Sequence, residues 1–99
     1  LTEAVYYILL SLLEPLHGYG IMQNAERLSA GRVKLAAGTL YGALTALLER
    51  GWIRSVEGGA LERKKEYVVT DAGREALRAE LNRLKELVRN GETILGGRI

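Results

Sequence analysis

From Ala4 to Leu10 every position is apolar, and only Ser11 interrupts a run that resumes with Leu12 and Leu13. The run predicts a first helix from about Thr2 to Leu13, apolar on nearly every side and ended by Pro15. A single small domain has trouble covering such a helix, so part of it is expected to pack against another subunit. Ile21, Met22, Ala25 and Leu28 then recur at helical spacing, predicting a second helix from Tyr19 to about Ser29 with Gly31 as its terminator. Val33 and Leu35 alternate with charged and small residues, as in a short strand or an extended link. Leu40, Leu44, Leu47 and Leu48 fall on one face of a third helix that ends at Gly51.

The period then changes. Trp52, Ile53 and Val56 read as a strand, Gly58 and Gly59 as a turn, and Lys65, Tyr67 and Val69 as the returning strand of a hairpin with a basic rim. Thr70 and Asp71 supply a capping hydroxyl and a first-turn carboxylate for a fourth helix reaching about Arg89. Its Leu77, Leu81, Leu84 and Val88, with Leu87 beside them, form the seam of a helix that packs on another helix. Two heptads fall short of a sustained coiled coil, so the seam predicts packing and dimerisation. The glycine-rich end "NGETILGGRI" is expected to fray. The chain therefore reads as one compact unit: residues 1–70 a winged helix-turn-helix, 71–90 a dimerisation helix and 91–99 a flexible tail. The fold class is mainly α with a small β-hairpin.

The far side of the third helix is unusual. Projected at the helical period, it carries Gly42, Thr45 and Ala46, with Thr39 and Arg50 at its edges and Glu49 near its end. A surface helix ordinarily has Lys, Glu and Gln there, and an interior glycine costs about 1 kcal/mol relative to alanine.

Composition removes most other chemistries. The 99 residues contain no cysteine and one histidine, which excludes a disulfide framework and a thiolate metal site and fits a reducing compartment. His17 has no evident partners for catalysis or metal binding and reads as a structural turn residue. Ser11, Ser29 and Ser55 have no neighbouring base, and no glycine-rich phosphate loop is present, so no catalytic site, metal or cofactor is expected. No segment approaches the roughly 20 apolar residues of a membrane span, so no membrane partner is expected and the location is read as cytoplasmic. The formal net charge of +2 is modest but unevenly placed. Residues 1–31 hold one Arg against three Glu, 32–65 hold seven Lys/Arg against three Glu, and 66–99 balance six against six. The basic excess surrounds the unusual helix.

Three helices, a hairpin and a last helix are the layout of a winged helix-turn-helix, in which the third helix enters the major groove and the hairpin lies along the backbone. The groove is about 12 Å wide, so small side chains at Gly42 and Ala46 let a helix sit deep in it. Thr39, Tyr41 and Thr45 then face phosphates, base edges or thymine methyls, and Tyr19 a phosphate. Arg32, Lys34, Arg63, Lys64 and Lys65 neutralise phosphates. Tyr6, Tyr7, Leu10, Leu81, Leu84 and Val88 are either dimer core or the lining of an effector pocket between subunits. Trp52 is core or a stacking surface for a ligand. A rival reading is a protein-interaction module whose basic wing is merely solvated.

"ILLSLLEPLHGYGI", "GTLYGALTALLERGWI" and "RKKEYVVTDAGREAL" together resemble the PadR family of bacterial transcriptional regulators over about Leu1 to Val88, in its compact branch with a short last helix. The His17-Gly18-Tyr19-Gly20 turn and the Gly38-Thr39-Leu40-Tyr41 helix start are the specific parts. The resemblance implies a homodimer joined through its first and last helices that represses promoters at a pseudo-palindromic operator in double-stranded DNA. In some members small aromatic or drug-like effectors release the DNA. Gly38 joins the candidate DNA-binding residues on this basis. Ala36 and Ala37 stand where members often carry a capping Ser or Asn and a Pro, which weakens the start of the third helix. Glu66 stands beside Tyr67 where many have an aromatic pair.

Overall fold

The computed structural model describes residues 1–56 and 65–96. Its elements are α1 (Glu3–Ser11), β1 (Leu16–His17), α2 (Gly18–Leu28), α3 (Ala37–Arg50), β2 (Ile53–Val56), β3 (Glu66–Val69) and α4 (Asp71–Gly91), followed by a π-helical turn, Glu92–Gly96. The Gly58-Gly59 turn, Arg63 and Lys64 lie outside the described residues.

Each helix start has a local cause. Thr2 caps α1, its Oγ1 accepting the Val5 N–H at 3.1 Å. His17 caps α2 through Nδ1, which accepts the Gly20 N–H at 3.2 Å and must therefore be the unprotonated ring nitrogen. α3 has Ala36 at its N-cap and no side-chain cap, as two alanines dictate. Gly51 closes α3 in the left-handed conformation at φ 76°, which a residue with a Cβ adopts only under strain.

The core is formed by Ile8, Leu9 and Leu12 of the α1 region, Ile21 of α2, Leu40, Leu44 and Leu47 of α3, Ile53, Tyr67 and Val69 of the sheet, and Leu77 of α4. Some sequence expectations change here and others agree with the structure. α1 ends at Ser11 rather than Leu13, and Val5, Tyr6, Tyr7 and Leu10 are only half-buried, so the helix is not covered all round within one chain. Leu28 is exposed, because α2 ends there and turns away through Ala30 and Gly31. The Val33–Leu35 stretch is an extended link outside any sheet, and the buried Ser29 holds it by accepting the Val33 N–H at 2.8 Å. α4 runs past Arg89, and the tail continues as helix through Gly96.

The sheet has one strand more than the hairpin predicts. Its order is β1-β3-β2, all antiparallel, with Leu16 opposite Tyr67 and His17 opposite Glu66 on one side of β3, and Ile53 opposite Val69 on the other. A further bond, Val69 N–H to the Leu12 carbonyl at 2.8 Å, ties β3 to the end of α1. The wing is thus rooted in the turn between the first two helices.

α4 springs from a compact joint. The Thr70 hydroxyl donates to the Gly51 carbonyl at 2.6 Å and accepts the Gly73 N–H at 3.1 Å, while the Thr70 N–H donates to the Trp52 carbonyl at 2.9 Å. One hydroxyl therefore joins the end of α3 to the start of α4. Thr70→Ala removes both of its bonds, and the expected loss is about 1–2 kcal/mol by urea denaturation. A denaturation midpoint equal to wild type would show that the joint does not depend on the hydroxyl.

Candidate nucleic-acid interface

The outer face of α3 is exposed at Gly38, Thr39, Tyr41, Gly42, Thr45, Ala46 and Glu49. No structural demand accounts for its two glycines. Among the described residues, a Cβ placed on Gly38 or Gly42 meets nothing within 4 Å, and neither residue has a positive φ. Within one chain, Gly42 only weakens its helix.

The polar groups on this face differ in availability. The Thr45 hydroxyl donates to the Tyr41 carbonyl at 3.0 Å, so its donor is engaged within the helix and its methyl and oxygen lone pairs remain for a partner. Tyr41 is 48% exposed, with its hydroxyl end lying over Gly18 at the start of α2. Burial pushes the Tyr67 phenol above its ordinary pKa, and the neighbouring Tyr41 acts in the same direction. Tyr19, 60% exposed, stands in the first turn of α2. The two motifs singled out in the sequence, around Gly18 and around Tyr41, therefore meet in space.

The basic flank is smaller than the sequence suggests. Arg32 donates from Nε to Glu3 Oε2 at 2.8 Å and from a terminal nitrogen to the same oxygen, so it is already paired and ties the link to α1. Lys34 and Lys65 are exposed and form no ion pair among the described residues. The Arg50 guanidinium lies 4.8 Å from the Trp52 ring centroid. Trp52 is half-buried against the core, where it lines a groove of about 300 Å³ with Val5, Ala43, Ala46, Leu47 and Arg50. Sequence reasoning missed the contact between the two motifs, because it joins residues 18 and 41 through a fold in which β1 is too short to leave a periodic signal.

Among the described residues of one chain, those read as dimer core or effector pocket, Val88 excepted, line two separate grooves. Tyr6, Leu10 and Leu81 line a groove of about 180 Å³ with Leu13, Arg74, Leu77 and Arg78. Tyr6, Tyr7 and Leu84 line another of about 320 Å³ that also contains Glu3, Glu80 and Arg83. Glu80 is bound by Arg83 Nε at 3.0 Å and a terminal nitrogen at 2.6 Å, and these bonds hold its carboxyl below the usual range. That wall therefore carries an ion pair as well as apolar surface. Val88 lies outside both grooves and is 57% exposed on α4, near Leu87 at 52%. Among the described residues no group of acidic or imidazole side chains is arranged to hold a metal, and no helix is long and apolar enough to cross a membrane.

Comparison with known proteins agrees with this arrangement. The family model described as "Transcriptional regulator PadR-like family" matches residues 8–79. A PadR family transcriptional regulator from Eggerthella lenta is 27% identical, with 92% of this chain and 80% of that one aligned at a TM-score of 0.73. A PadR family transcription regulator from Clostridium difficile shares the fold at 23% identity, TM-score 0.72, covering 92% of this chain and 97% of its own. A transcriptional regulator from Clostridium thermocellum does so at 20% identity, TM-score 0.74, covering 93% and 91%. No curated protein is similar enough in sequence to count as a relative.

Proposed function

This chain belongs to the PadR-like family of transcriptional regulators, and on that premise we propose that it is a homodimeric repressor reading a pseudo-palindromic operator through α3. The family consists of DNA-binding regulators rather than enzymes. One observation carries the proposal: α3 keeps Gly38 and Gly42 exposed with open space around both, at a cost to its own stability. Entry into a major groove gives that cost a purpose. Thr39, Tyr41 and Thr45 then lie at base edges and phosphates, Tyr19 at the backbone, and Lys34, Arg63, Lys64 and Lys65 neutralise phosphates.

Dimerisation is supported by apolar surface that one chain leaves open. Leu81, Leu87 and Val88 on α4 are all more than 40% exposed, and Tyr6 and Leu10 of α1 are half-covered beside Leu81. A second copy seated on α1 and α4 buries this surface and sets two α3 helices about one DNA turn apart. A flat apolar effector binding between the subunits near Tyr6, Tyr7 and Leu84 would change that spacing. DNA and effector would then weaken each other's binding by the same factor.

The test is a fluorescence-anisotropy titration of the protein against its own upstream DNA and a scrambled duplex at two salt concentrations, with the mass in solution measured in parallel. The expected result is a dimer that binds the upstream DNA more tightly, with a gap that survives the higher salt. A dimer binding both duplexes equally, and losing both with salt, would remove sequence reading and leave a protein-interaction module as the better account.

A further inference from the structure

We infer that Gly18 is a positioning residue for DNA binding: lacking a side chain, it lets the Tyr41 hydroxyl of the recognition helix stand against the first turn of α2. The inference rests on Tyr41 being a backbone contact, as proposed above, and adds what sets the place of its hydroxyl.

Gly18 is buried and has no positive φ, so backbone conformation does not require glycine there. At the first position of a helix, alanine is ordinarily at least as good. A Cβ on Gly18 would nevertheless run into the Tyr41 hydroxyl oxygen and lie 2.9 Å from Tyr41 Cζ, whereas its other neighbour, Leu40 Cδ2, is at an ordinary 3.4 Å. Only Tyr41 resists the substitution. Its obstructing atoms are the far end of a half-exposed side chain, so the ring rather than the helix yields and swings outward.

The other surroundings point the same way. β1 leads directly into Gly18, and its Leu16 lies opposite Tyr67 in the sheet. A donor held in place before binding loses less freedom on meeting a phosphate than one that must be ordered there. Gly18 thus makes the Tyr41 hydroxyl a preset donor.

The experiment compares wild type, Gly18→Ala, Tyr41→Phe and the double variant, by anisotropy on a labelled duplex of mixed sequence at low salt and by thermal melting. Tyr41→Phe should weaken binding about ten-fold or more, the size of one hydrogen bond to a charged phosphate. Gly18→Ala should weaken it by a similar factor with its melting temperature within a few degrees of wild type. The double variant should bind no worse than Tyr41→Phe alone, because the displaced ring then has no hydroxyl to lose. Wild-type binding by Tyr41→Phe would overturn the contact itself. Weakened binding by Tyr41→Phe with unchanged binding by Gly18→Ala, or with additive losses in the double variant, would overturn the positioning role and leave the contact standing. Should Gly18→Ala melt well below wild type, Tyr41→Ala in the same chain should restore it, and failure to restore it would also overturn the inference.

Discussion

Gly42→Glu is expected to abolish operator binding, by about 100-fold or more, while making the domain more stable. Gly42 lies in the middle of α3, exposed and with nothing among the described residues within 4 Å of the position a Cβ would take. Any ordinary residue there raises helix propensity by roughly 0.5–1 kcal/mol, which moves the melting temperature of a domain this size up by about 3–6 °C. Glutamate adds length that props the helix away from the groove floor and a charge that phosphates repel. Gly42→Ala should gain the stability and keep binding within a few-fold. Anisotropy and calorimetry on the same preparations check both halves. Wild-type affinity in Gly42→Glu would show that this face of α3 does not enter DNA.

The same alanine at Gly73 has the opposite sign. A Cβ on Gly73 would run into the Trp52 carbonyl, lie 3.1 Å from its carbon and sit 2.5 Å from Val69 Cγ2. Unlike the Tyr41 ring, these are backbone and buried side chain held by the Thr70 joint, so relief requires moving α4 off the sheet. Gly73→Ala should cost about 2–3 kcal/mol despite its better helix propensity, a large fraction of a small domain's stability. Urea denaturation measures it directly. A variant as stable as wild type would mean that α4 tilts on this joint at little cost.

The contrast between these glycines indicates what the sequence can convey. Gly42 was legible as odd because a helical projection places it among solvent-facing residues, and local periodicity is written in order along the chain. The helices, the hairpin strands and the Thr70 start were readable for the same reason. Gly18 and Gly73 have meaning only through partners brought close by tertiary folding, at Tyr41 and Trp52, and no periodicity reports such approaches. β1 escaped because two residues cannot show alternation. In the sequence Arg32 reads as free positive charge, because its partner, Glu3, is far away along the chain. The outward placement of Leu87 and Val88 agrees with a seam, but periodicity alone does not say whether a seam closes within one chain or between two.

The joint beneath α4 also sets a gearing ratio. A helix of 21 residues is about 31 Å long, so a rotation of roughly 10° at its root carries its tip through about 5 Å. A small tilt at Thr70 and Gly73 becomes, at the far end, a shift of about one and a half base-pair steps along a duplex. If two subunits meet through their α4 helices, the phase between their reading heads is calibrated by one hydroxyl and one missing side chain, neither of them on the α3 face proposed to meet DNA.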